Sequence, residues 1–185
     1  MNGITTLILA AGLWLMSTPL IAIELPTIDP VPGGIALVPL PPVPDKPRAN
    51  YQGRPVLVLP AENGWQALVG IPLGAKTGTH HVQAVNATGK SVHIAFEVGT
   101  REYETQHITI QDKRKVNPNA QDMQRIGKER TRIRKALAQF TAQDDTPLLL
   151  DLPARGPESS PFGLRRYFNR QPRNPHSGLD IAAPA

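Results

Sequence analysis

His176 and Asp180 stand four residues apart in the run HSGLD. A neutral imidazole and a carboxylate are both good ligands for a dication such as zinc. A catalytic zinc takes three protein donors and keeps one position open. Water held there becomes acidic enough to attack an amide carbonyl near neutral pH. Two donors therefore begin such a site without completing it, and H-x-x-x-D spacing alone does not separate a ligand pair from a surface histidine. The chain has no cysteine. That excludes a thiolate zinc site, a cysteine nucleophile, a disulfide scaffold and lipoprotein acylation, so any metal must be held by His and carboxylates. The other histidines are His80, His81, His93 and His107. His80 and His81 are adjacent and on a strand would point to opposite faces, so they cannot act as an alternate pair. Surface or packing roles fit all four.

The elements around the pair are short. Gly178 followed by Leu179-Asp180-Ile181-Ala182 argues for a loop entering a strand, and a spacing of four along a strand places both side chains on one face. Upstream, TPLLLDLPARG holds a buried-strand candidate, Leu148 to Leu152.

The wider string is more telling than the pair. SSPFGLRRYFN followed by NPHSGLDIAAP resembles the opening of the lysostaphin/LytM zinc metallopeptidase domain, over about Pro153 to Ala185. The resemblance runs through the phenylalanine-glycine-x-arginine stretch, the glycines, the PH pair and the DIAAP tail. It implies Zn2+ as cofactor, His176 and Asp180 as the first two metal ligands, and Arg165 in a structural or substrate-binding role. The family's second motif, H-x-H, supplies the third ligand and a general-base histidine. This sequence contains no H-x-H, so the catalytic base is absent from it and the 185 residues are expected to be an inactive fragment. The implied activity is hydrolysis of peptidoglycan cross-link peptides. The alternative is a non-catalytic wall-binding or hydrolase-activator protein. PGGIALVPL and GWQALVGIPL also resemble, more loosely, the N-terminal all-β domain of Gram-negative members.

Twenty prolines and fifteen glycines favour strands, turns and linkers over long helices. The expected fold is mainly β with one helix. Residues 23–50 read as a proline-rich leader or first edge strand. Residues 51–116 read as a β-sandwich-like domain, because RPVLVLP, WQALVGIP, HHVQAV, SVHIAFEV and HITIQD are short Val/Ile-rich runs separated by turn-rich stretches. Trp65 is expected in or near its core. Residues 117–144 read as a connecting basic amphipathic helix, capped by Asn117 with Pro118 in its first position. Met123, Ile126, Ile133, Leu137 and Phe140 form its apolar stripe, interrupted by Arg130. Residues 145–185 read as the incomplete start of a β-sheet peptidase domain.

The first 22 residues are apolar from Ile4, uncharged, and end in small residues. They read as a signal peptide, with an uncleaved anchor as the alternative; either exports the chain to the periplasm or cell envelope. The formal net charge is +5. Between Lys113 and Lys135 nine Lys/Arg face two acids, so the basic character is concentrated on the helix. That suits an anionic envelope surface or simply a solvated face. Aromatics are only 5%, too few for a nucleic-acid stacking platform. Peptidoglycan is the expected partner.

Overall fold

The computed structural model describes residues 24–141 and 146–183. The expected signal peptide lies outside the described residues. The first part of the chain forms one six-stranded antiparallel sheet, in the order β1-β4-β3-β2-β5-β6. Its strands are β1 (Ile35–Pro39), β2 (Arg48–Tyr51), β3 (Arg54–Ala61), β4 (Gly64–Gly70), β5 (Gly78–Val85) and β6 (Ser91–Val98). Period-two patterning explains them. In β5, Val82 and Ala84 are buried while His81 and Gln83 are exposed; β6 alternates in the same way and ends on buried Val98.

β3 breaks the alternation: Val58 and Leu59 are consecutive and both buried. Residues up to Val56 pair with β2, and those from Leu57 pair with β4. The strand thus hands over from one half of the sheet to the other. The inward residues of both halves, Ala36 and Val38, Ala49 and Tyr51, Val58, Ala67 and Val69, Val82 and Ala84, and Val98, meet in one hydrophobic cluster. Both faces of a core being supplied by one folded sheet is the sandwich-like arrangement that the short alternating strands predict. Trp65 packs against this cluster, and its Nε1–H donates to the Val43 carbonyl at 3.1 Å. The hairpin between β2 and β3 is closed by Gln52 and Gly53, both at positive φ (49° and 74°), the two-residue turn that matches strand twist. β1 lies within the proline-rich stretch 23–50, at the edge of the sheet, with Pro39 as its last residue. An edge strand tolerates proline because one of its sides has no ladder to feed.

Beyond the sheet, β7 (Thr105–Ile108) is followed by α1 (Lys113–Val116) and α2 (Ala120–Leu137). The long helix starts later than its sequence suggests. Asn119, not Asn117, caps it, accepting from the Asp122 N–H at 2.9 Å, and Pro118 sits before the cap. Asn117 instead closes α1. A bidentate contact from Arg114 to Asp122, at 2.6 and 2.8 Å, links the two helices. That hydrogen-bonded guanidinium holds the Asp122 carboxyl below the ordinary carboxylate range. The apolar stripe of α2 is not covered by the described residues: Met123, Ile133 and Leu137 are 52%, 58% and 80% exposed.

After the helix come β8 (Glu158–Ser160), β9 (Arg165–Phe168), β10 (Gln171–Pro172) and β11 (Asp180–Ile181). β9 pairs in parallel with β7 and antiparallel with β10; β11 pairs with β8. α1 and α2 are therefore the crossover joining a parallel strand pair. Leu148 to Leu152 do not form the expected buried strand. Leu150 and Leu152 are 84% and 75% exposed, and the run has no ladder partner among the described residues. Pro147 and Pro153 bracket it and withhold two ladder donors.

Candidate metal centre

His176 and Asp180 are brought together, though not along one strand. Only Asp180 is on β11; His176 is in the loop before it. Two backbone bonds place that loop. Gly163 N–H donates to the His176 carbonyl at 2.8 Å, and His176 N–H donates to the Leu164 carbonyl at 2.9 Å. The β8–β11 ladder places Asp180 opposite Ser160. The result is an Nε2 to Oδ1 separation of 3.2 Å, with the His176 side chain 14% exposed and that of Asp180 54% exposed.

The chemistry of the contact depends on the proton. His176 Nδ1 lies 3.1 Å from both the Pro161 carbonyl and Ser160 Oγ. A carbonyl can only accept, so the tautomer assigned from these partners puts the proton on Nδ1. Nε2 then presents a lone pair to the Asp180 carboxylate. Two acceptors at 3.2 Å attract only if a proton or a cation lies between them. Gly178 leaves room on that side, since a Cβ there would sit 3.8 Å from Nε2. The donor set fits a zinc-type cation in kind. In number it falls one short of a catalytic site, and among the described residues no cluster of three or more His, Cys, Asp or Glu could hold a metal.

Arg166 and Ser160, which the spacing of the motif does not single out, complete the surroundings. Arg166 Nη2 donates to Ser160 Oγ at 2.6 Å and lies 3.8 Å from Asp180 Oδ2. It thus ties the residue beneath the imidazole to the second oxygen of the carboxylate. Arg165, by contrast, has an exposed side chain, and its backbone N–H donates to the Glu104 carbonyl. The phenylalanine-glycine-x-arginine stretch singles out Arg165, yet it is the half-buried Arg166 whose side chain reaches Ser160 and Asp180.

Tyr103 anchors the whole segment to the first sheet. Its Oη–H donates to the Pro32 carbonyl at 2.7 Å, and its ring meets Phe162 edge-on. The ring lies so close to Gly163, and Oη to Gly33, that a Cβ at either glycine would collide with it. The remaining histidines stand apart from the centre. His80 Nδ1 contacts Tyr51 Oη at 2.6 Å, and its ring packs with Phe96; His107 stacks on Tyr167.

Residues 29–101 match the N-terminal domain of peptidase family M23. A solved structure of a candidate M23 peptidase from Pseudomonas aeruginosa aligns with a TM-score of 0.61 and 38% identity, over 84% of this chain. Residues 29–101 thus resemble the N-terminal domain of peptidase family M23. The chain spans 55% of the length of that M23 structure. A comparison with curated proteins gives no match. The M23 match falls on the region where PGGIALVPL and GWQALVGIPL resemble a family N-terminal domain, now seen as β1 and β4 with their flanks.

Proposed function

We propose that this chain is part of an exported zinc metalloendopeptidase of the cell envelope that hydrolyses the cross-link peptides of peptidoglycan. His176 and Asp180 would supply two of the metal's donors. The observation that carries this reading is the 3.2 Å approach of His176 Nε2 to Asp180 Oδ1, in a stretch whose sequence resembles the family's first metal motif. Zinc, when bound, supplies an acidified water and a Lewis acid for amide hydrolysis.

The chain's own residues prepare the place. The Pro161 carbonyl fixes the imidazole tautomer and turns the Nε2 lone pair outward. Ser160 and Arg166 hold the imidazole and carboxylate in register from behind. Such outer partners set ligand orientation and basicity. Gly178 keeps the open side free of a side chain. With two donors and no H-x-H, these 185 residues are not expected to hydrolyse peptides unaided.

The test is peptide release from purified sacculi by the gene's natural product. Activity should be lost with chelator, return with zinc, and be abolished in His176→Ala. Undiminished hydrolysis by His176→Ala would remove His176 from the chemistry.

A further inference from the structure

Arg166 also borders a cavity of about 180 Å³ that neither His176 nor Asp180 lines. Three of its walls are arginines: Arg165, Arg166 and Arg173; Tyr103 and Tyr167 contribute as well, and no carboxylate lines it. The three cations are poorly compensated. Arg165 makes no side-chain bond among the described residues. Arg173 is fixed by neutral acceptors only: the Val116 carbonyl at 2.7 Å, Gln171 Oε1 at 3.0 Å, the Pro172 carbonyl at 3.1 Å and Asn117 Oδ1 at 3.3 Å. Arg166 has one acid within reach, Asp180 at 3.8 Å, and its Nε–H is buried with no acceptor among the described residues. Like charges gathered in one cavity repel. An anion in the cavity relieves that repulsion. Guanidinium forks match carboxylate and phosphate oxygens in geometry as well as in charge. A water's share of liquid volume is about 30 Å³. The cavity therefore has room for a carboxylate or phosphate group.

We infer that this cavity binds a small oxyanion, a carboxylate or a phosphate, through Arg165, Arg166 and Arg173. Binding there does not require metal at His176, so it is measured with chelator present and its failure is distinct from failure of the zinc reading. The Arg166 Nε–Hε resonance of the full chain is followed by NMR while N-acetyl-D-alanine, its neutral amide, or inorganic phosphate is added. A saturable shift with the anions and none with the amide is expected. Arg165→Ala, an exposed change that leaves the fold intact, should weaken the anion roughly threefold or more. Tighter binding of the acetylated amino acid would mark a peptide carboxylate as occupant, and tighter binding of phosphate a free phosphate. No saturable shift with either anion, an equal shift with the amide, or unchanged affinity in Arg165→Ala would overturn the assignment.

Discussion

Replacing Gly163 by alanine should detach the peptidase-motif segment from the first sheet. Gly163 has φ +85°, a conformation that costs a residue with a Cβ about 1–2 kcal/mol. The new methyl group would also run into the Tyr103 ring. Moving that ring sacrifices the 2.7 Å bond to Pro32, worth about 1 kcal/mol, and the edge contact with Phe162, worth about 0.5–1.5 kcal/mol. The sum is about 2.5–4.5 kcal/mol, or roughly 5–18 °C in Tm for a chain of this size. Gly89 is the control. Its φ is similar at +81°, but a Cβ there meets nothing within 4 Å, so Gly89→Ala should cost only the backbone part. Denaturant unfolding of both variants gives the comparison. If Gly163→Ala costs no more than Gly89→Ala, Tyr103 is not clamped between Gly33 and Gly163 and the positioning of His176 needs another explanation.

Gly127 lies inside α2 with open space around it. Gly127→Ala should stabilise the protein by about 0.5–1 kcal/mol, measured by denaturant unfolding followed at the helix signal; a loss of stability would mean another surface packs closely on that turn. Burial pushes the Tyr51 phenol above its usual pKa. The folded state therefore holds that proton more tightly than the unfolded chain, and its contribution is complete below about pH 10 and lost as pH rises through the folded pKa. Unfolding free energies taken from pH 9 to 11 should fall less steeply in Tyr51→Phe than in the parent, and parallel curves would contradict this.

The strands of the first sheet were legible because each is short and amphipathic, with one buried face. Val82, Ala84 and Val98 advertise themselves by alternation alone. β1 was harder to read, since the prolines around Leu40 look like a linker until an edge position excuses them. The register of α2 turned on which of two nearby asparagines caps it, a choice between equal side chains that the backbone around Pro118 decides. The Leu148–Leu152 run misled because apolar composition reports burial only when a partner surface is at hand. At the candidate centre, His176 and Asp180 were visible through the motif. Ser160 and Arg166 were not, because their roles arise from a β8–β11 ladder and a β7–β9 pairing that join residues far apart in sequence. The M23 family match falls on the first half of that reading, residues 29–101.

We propose that His176 and Asp180 form a metal-binding pair. The most direct test is to label the histidine side chains with nitrogen-15 and add Zn2+ to the chain at neutral pH. A saturable change is expected at His176 Nε2, with Nδ1 remaining protonated, that disappears in Asp180→Asn. A response confined to the other histidines, or one at His176 that Asp180→Asn leaves unchanged, would contradict it.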